Sequence, residues 1–272
     1  MNNVLRGLIF NEQVSLTIID CTEIAQEAYR LHLLKGAEGH TFVRALCFGA
    51  YLSACLKERQ GQVSAEIKSN RLHVSVSGGY HLRVRGAFEP FFEDLEGFGE
   101  GTITVIRDDG YSRPFVGLCE LTGGTPDQDF SQYFKVSEQL PTHVETCVET
   151  DEKGEVSYAG IVAVQPLPFA EESVLKNLPS GEELQALLAR VKKEGLSAVK
   201  KEYALSALVE RRAEYKCNCS REYLQGVLLS LGEAEMRKII REDGAVRVHC
   251  HYCNTDYEFG EKDADEMFLK GK

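Results

Sequence analysis

The chain has 272 residues, of which 43% are hydrophobic and 27% charged, as in an ordinary globular protein. Its net charge of −11 disfavours nucleic-acid binding, because a phosphate-binding surface normally has a basic excess. It has no apolar run long enough for a membrane span and no signal-peptide pattern at its start, so we predict a cytoplasmic protein that does not contact membranes.

The first 177 residues mix helical and strand-like patterns. Residues 23–34 and 41–59 have helical spacing of apolar residues, and the second segment is apolar enough to be buried. Strand-like runs punctuated by Gly and Asp follow, which is typical of antiparallel hairpins. A further helix is expected to end before Pro141, and a last hairpin to turn at Lys153–Gly154. We therefore predict an α+β core domain over residues 1–177, with helices on an antiparallel sheet.

A helical linker is predicted over residues 178–214. Three prolines between positions 166 and 179 mark the change of composition that precedes it. Gly195 is expected to divide the segment into two helices. The apolar residues of the first helix recur three or four positions apart, at Leu184, Leu187, Leu188 and Val191.

The last segment, residues 215–272, is predicted to form a small unit of helices and one hairpin. Ser220 can cap a helix that ends near Gly232, and a second helix can end at Gly244. A short hairpin with a tight turn at residues 250–253 and a terminal helix complete the unit. A segment this small buries few apolar groups, so it needs a further source of stability.

Two closely spaced cysteine pairs lie in this segment: Cys217 with Cys219, and Cys250 with Cys253 after thirty intervening residues. Structural zinc takes four tetrahedral ligands, usually thiolates offered as two such pairs. A disulfide staple and a redox device are the alternatives. Permanent disulfides are disfavoured in the cytoplasm, and an odd total of nine cysteines cannot pair completely. We predict one zinc ion on these four sulfurs, which leaves no open position for a catalytic water.

Two histidines, His249 and His251, flank Cys250. On a strand they would point away from the cysteine between them, so we interpret them as bystanders, with coordination by His251 as the open alternative. The other five cysteines lie in apolar patterns and are predicted to be packing residues: Cys21, Cys47, Cys55, Cys119 and Cys147.

Three segments together carry a family resemblance: KCNCSREYLQGVLLSLG, IIREDGAVRVHCHYCNTDYEF and, in the core, FSQYFKVSEQLPTHV with its distinctive YFKVSEQLPT. In this order, and over essentially the whole chain, the sequence resembles the heat shock protein 33 homologue family, the redox-regulated holdases also called 33 kDa chaperonin. The sequence departs from the family in EDLEGFGEG, where the family has a glycine-rich approach to a hairpin, and in the two histidines beside the third cysteine.

The resemblance implies a stress-response chaperone that holds unfolding client proteins without ATP and is inactive while reduced and zinc-bound. Oxidation would pair Cys217 with Cys219 and Cys250 with Cys253, release zinc and unfold the C-terminal region. Four cysteines permit three connectivities, and effective concentration also favours pairing between neighbours. The family further implies that oxidation favours a homodimer. The C-terminal unit would then be a redox-switch domain.

A zinc-ribbon module that docks nucleic acid or a partner protein is the main alternative. It needs a basic face, whereas residues 215–272 carry nine Lys/Arg against eleven Asp/Glu. A thiol oxidoreductase would need a reactive Cys-x-x-Cys at a helix N-terminus, but Cys250 and Cys253 are expected in a strand-rich turn. The sequence has no phosphate loop, metalloprotease or deaminase signature, and we interpret Glu138 and Gln139 as helix-ending residues. We therefore predict that the protein is not an enzyme.

Overall fold

The computed structural model describes residues 2–92, 96–203 and 205–269. Its contacts divide the chain into two compact units, Met1–Lys216 and Cys217–Lys272. Residues 93–95, the start of the EDLEGFGEG segment, lie outside the description. Among the helices of the described ranges, none combines the length and the apolar character of a membrane span.

The first unit is built on two β-sheets. Its strands are β1 (Val4–Ile9), β2 (Val14–Asp20), β3 (Gln62–Ser69), β4 (Leu72–Gly79), β5 (Arg83–Pro90), β6 (Gly101–Asp108), β7 (Phe115–Glu120), β8 (His143–Thr150), β9 (Val156–Pro166), β10 (Ser206–Arg211) and β11 (Glu214–Tyr215). The first sheet has the order β10-β1-β2-β9-β8, and the second has the order β11-β5-β4-β3-β6-β7. β11 runs parallel to β5, and the other pairs are antiparallel. The predicted α+β class is confirmed.

The helices of the first unit pack between and outside these sheets. They are α1 (Thr22–His32), α2 (Gly36–Ala54), α3 (Pro126–Tyr133), α4 (Glu172–Leu175), α5 (Glu182–Glu194) and α6 (Leu196–Glu202). Fourteen of the nineteen residues of α2 are buried, because this helix is apolar on most of its circumference and contacts strands of both sheets. One hydrophobic core therefore joins α2 to the inner faces of the two sheets.

The predicted apolar stripe on α5 covers the outer face of the first sheet. Leu184, Leu187, Leu188 and Val191 are buried there in a second core, with strand residues that include Leu16, Ile18, Val162 and Val164. Strands β2 and β9 are thus buried on both faces; β9 has the nearly continuous apolar run typical of such strands, whereas β2 buries the polar residues Ser15 and Thr17. Each buried Leu contributes about 1.5–3 kcal/mol by transfer from water, so this seam holds α5 on the sheet.

The linker is only partly helical, which corrects the prediction of a helical segment over residues 178–214. α5 and α6 do separate at Gly195, which has φ +77°, as expected. Residues 206–211, however, form β10, which pairs with β1. Glu210 of β10 is opposite Leu5 of β1, and Arg211 is opposite Val4. Strand β10 provides hydrogen-bond partners for the edge of β1, which a helix over these residues would leave unpaired, and this tertiary contact overrides the local pattern. The role of residues 178–214 as a linker stays a prediction.

The half-buried carboxyl group of Glu145 lies under α5. Gln185 donates through Nε2 to a carboxylate oxygen of Glu145 on β8 at 2.7 Å and to the carbonyl oxygen of Thr146 at 3.2 Å. Burial raises the pKa of Glu145 to about 7, and the nearby charge of Asp127 also raises it. Asp127 is itself buried, and Arg44 donates to it at 3.3 Å. The contact between α5 and β8 therefore contains a carboxyl whose pKa is raised to about 7.

We expect the stability of the first unit to fall as the pH rises from about 4.5 to about 7. The pKa of Glu145 is higher in the folded state than its ordinary value of 4.5, so the folded state binds the extra proton within this window. Its stabilising contribution is complete below pH 4.5 and is lost as the pH passes through 7. Thermal unfolding of Glu145→Gln should show a flatter pH profile, with the exposed turn variant Glu152→Gln as the control. Parallel profiles for wild type and Glu145→Gln would contradict this assignment.

Candidate metal centre

The second unit consists of the helices and the hairpin predicted from sequence. They are α7 (Arg221–Leu231), α8 (Glu233–Asp243), β12 (Val246–Cys250), β13 (Thr255–Phe259) and α9 (Glu261–Leu269). Ser220 caps α7, because its side chain accepts a hydrogen bond from the backbone nitrogen of Tyr223 at 3.1 Å. Gly232 and Gly244 end α7 and α8 with φ values of +92° and +81°, which favour glycine.

The hydrophobic core of this unit is small. It contains six buried apolar residues: Leu228, Met236, Ile240, Val246, Phe259 and Ala264. Arg237 forms ion pairs with Glu233, Glu261 and Asp265, but the three carboxylates are half or more exposed, and such pairs contribute little. The unit therefore depends on some further cross-link between its elements.

Four cysteine sulfurs provide the material for that cross-link. Cys217 and Cys219 lie in the irregular segment before α7. Cys250 is the last residue of β12, and Cys253 lies in the turn to β13. The backbone nitrogen of Asn254 donates to the carbonyl of Cys250 at 2.8 Å, and this bond closes the turn. All four sulfurs lie within 4.8 Å of one another, and each thiol is free.

The spacing of the sulfurs suits a single tetrahedral ion. The Sγ of Cys219 is 3.3 Å from that of Cys217 and 3.1 Å from that of Cys253, and the Sγ atoms of Cys217 and Cys250 are 3.6 Å apart. Four thiolates that bind one zinc ion at about 2.3 Å have sulfurs about 3.8 Å apart. The four cysteines therefore fit an ion of this size and coordination with little adjustment.

The electrostatics of the cluster determine whether its sulfurs can all be thiolates. Burial raises the pKa of Cys219 and that of Cys250, and the hydrogen bond that each of these thiols shares with Cys253 also raises it. Four sulfurs this close can all be thiolates only if a positive charge lies among them. The hydroxyl of Tyr257 on β13 lies 3.3 Å from Sγ of Cys219 and can donate to the thiolate. Such outer hydrogen bonds orient ligands and strengthen metal binding.

Tyr257 is a residue of the site that the cysteine spacing did not predict. The alternation of inward and outward side chains along the hairpin could have identified it. Tyr257 is opposite Val248, so its side chain is on the same side of the hairpin as the inward residues of β12. Neither His249 nor His251 belongs to the four-sulfur group found in the described part of the chain. Both histidines are exposed, and His249 bonds to Asp256 on β13.

The remaining predicted candidates lie in the first unit. Cys21, Cys47 and Cys119 are buried there, and Cys55 and Cys147 are half-buried. Glu138 pairs with Arg107 at 2.6 Å at the end of a π-helical turn, Phe134–Glu138, that continues α3. Gln139 follows with φ +56° and ends the helix before Pro141. These contacts give Glu138 and Gln139 structural roles, as we expected.

Comparisons with known proteins agree on one family. The family model described as Hsp33 protein matches residues 2–260. A 33 kDa chaperonin of Bacillus mycoides (strain KBAB4) is 29% identical over 289 aligned positions, covering 98% of each chain. A 33 kDa chaperonin of Bacillus cereus (strain AH187) is 28% identical and covers 97% of each. The crystal structure of a 33 kDa chaperonin, a heat shock protein 33 homologue from Thermotoga maritima, superposes with a TM-score of 0.79. It is 29% identical, and the match covers 99% of this chain and 98% of that one.

Proposed function

The chain belongs to the Hsp33 family of chaperones, and from that premise we propose that it is a redox-regulated, ATP-independent holdase. In its reduced state Cys217, Cys219, Cys250 and Cys253 would hold one zinc ion, and the chaperone would be inactive. One observation carries this proposal: four free sulfurs lie within 4.8 Å of one another, where they can cross-link a unit whose core cluster contains six buried apolar residues.

The sulfurs themselves act as the sensor in this proposal. Bound zinc would keep all four as thiolates and would connect the segment before α7 to the hairpin. Thiolates are the form that hypochlorite and peroxides attack. Each pair of cysteines gives two electrons to the oxidant as its disulfide forms, and we assign the pairs as Cys217–Cys219 and Cys250–Cys253. Disulfide sulfurs no longer bind the cation, so the cross-link between the two segments is lost.

Loss of the cross-link activates the protein by exposing apolar surface. The second unit would unfold, because its core is too small to hold the chain alone. The linker helices α5 and α6 would then loosen from the first sheet, where the apolar seam would become available to unfolding client proteins. Holding needs only this apolar contact, so neither ATP nor chemistry on the client is required. The same exposed surface would favour a homodimer of the oxidised protein.

The test follows metal, thiols and holding activity in one sample. We expect hypochlorite to release one zinc ion per chain, to remove four of the nine titratable thiols and to produce suppression of client aggregation. Peptide mapping should recover the two local disulfides, and size-exclusion chromatography should detect dimers. Zinc release without any gain in holding would refute the switch and leave an inert structural metal.

A salt titration of nucleic-acid binding distinguishes the zinc-ribbon alternative. A steep loss of affinity with salt would indicate phosphate contacts and would favour a nucleic-acid-binding module. We expect no such binding, because the second unit has no excess of basic residues.

A further inference from the structure

The outer face of the C-terminal hairpin carries an exposed pair of imidazoles. β12 alternates between inward and outward side chains, so that Val246 and Val248 face the small core while Arg247 and His249 face solvent. His251 follows two residues after His249, and its ring centroid is 4.9 Å from that of His249. Both rings are exposed, and neither belongs to the four-sulfur group. The function proposed above makes no use of them.

A carboxylate orients one of the two rings. Asp256 lies directly across the hairpin from His249, and its Oδ1 is 2.7 Å from Nδ1 of His249. A proton on Nδ1 that is donated to this carboxylate leaves the lone pair of Nε2 free. Histidines that bind metal ions usually donate their other ring N–H to such a carboxylate, which fixes the tautomer and increases ligand basicity. His249 therefore has the arrangement of a metal ligand.

The separation of the rings fits a shared ion. With metal–nitrogen bonds of about 2.0–2.1 Å and a tetrahedral angle, two imidazoles on one ion have centroids about 5 Å apart. The observed 4.9 Å agrees with this value. Arg247 is the positive side chain on the same face of β12, and its charge is paired with Glu258 at 3.1 Å. The carboxylate of Asp256 partly offsets the charge of a bound cation.

We propose that His249 and His251, oriented by Asp256, form a second metal site for a borderline divalent cation such as zinc or nickel. Imidazole ligands select ions of this class, and water completes the coordination. The site is on the opposite face of β12 from the sulfur of Cys250, so its ion is distinct from one held by the four cysteines. Because its ligands come from one hairpin, it requires the folded hairpin but does not require the redox switch.

Nickel binding by the untagged, zinc-loaded full chain tests the proposal. We expect substoichiometric Ni²⁺ to broaden the ring proton signals of His249 and His251 before those of the other histidines. Equilibrium dialysis should show a second equivalent of zinc that His251→Ala abolishes. His73 is a matched control, because its ring is also bonded to a carboxylate, that of Glu66 at 2.9 Å, and His73→Ala should leave the second equivalent unchanged.

A variant that keeps both imidazoles separates ligation from folding. Asp256→Asn should weaken the second site about tenfold and leave the tightly held zinc in place. The proposal is overturned if wild type takes up no second equivalent, or if that equivalent persists in His249→Ala/His251→Ala. It is also overturned if Ni²⁺ broadens His73 as strongly as His249. Each result is independent of whether oxidation activates the chaperone.

Discussion

Replacing Cys250 by serine is expected to unfold residues 217–269 and to leave the core around α2 in the first compact unit folded. A serine hydroxyl is a poor substitute for a thiolate ligand of zinc, so the variant would lose its cross-link. In small metal-dependent domains, bound zinc contributes about 10–16 kcal/mol to folding. The core of this unit, with six buried apolar residues, has nothing of that size to replace it. We therefore expect a complete loss of structure in the second unit.

Hydrogen exchange measured peptide by peptide checks this expectation. Amide protons of α7, α8 and the β12–β13 hairpin should exchange at rates near those of an unfolded chain in Cys250→Ser. Those of α2 should stay protected, because α2 lies in the separate core of the first unit. Cys147→Ser is the matched control, since Cys147 is half-buried in β8 and is not part of the sulfur group. Wild-type protection of the hairpin in Cys250→Ser would show that the metal is not what holds this unit.

Features that depend only on neighbouring residues in the chain could be predicted from the sequence. Ser220, Gly232 and Gly244 indicated where α7 and α8 begin or end, because capping and left-handed φ depend on neighbours in the chain. The cysteine pairs could be predicted for the same reason, since each pair is brought together by a short segment. What the sequence could not reveal is which sulfur of one pair approaches which of the other: the structure places Cys219 near Cys253 and Cys217 near Cys250.

Elements that depend on distant partners were missed. β10 forms because β1 has a free edge about 200 residues earlier in the chain, and the local pattern of residues 206–211 does not reveal that edge. The hydrogen bond from Tyr257 to Cys219 depends on the hairpin register and on the approach of the segment before α7. The contact between Gln185 and Glu145 likewise depends on how α5 lies over β8. All three features, the strand and the two side-chain contacts, depend on residues that are distant in the sequence.

Leu188→Asp on α5 is expected to produce holding activity in the reduced, zinc-loaded protein without any oxidant. Leu188 is fully buried in the seam between α5 and the first sheet, and a carboxylate there would lack a partner. Even Leu188→Ala should cost about 2–5 kcal/mol, and a buried charge should cost more. The linker helix would then leave the sheet, and the outer faces of β2 and β9 would be exposed to clients.

Suppression of client aggregation, measured with retained zinc and reduced thiols, decides this prediction. Ala186→Asp is the matched control, because it places the same charge two residues away on the exposed side of α5. We expect the control to be inactive until it is oxidised, and Leu188→Ala to be intermediate between the control and Leu188→Asp. Hydrogen exchange of residues 182–202 reports independently whether α5 and α6 have been released. If these helices are released in Leu188→Asp and clients still aggregate, the surface beneath them is not the one that clients bind.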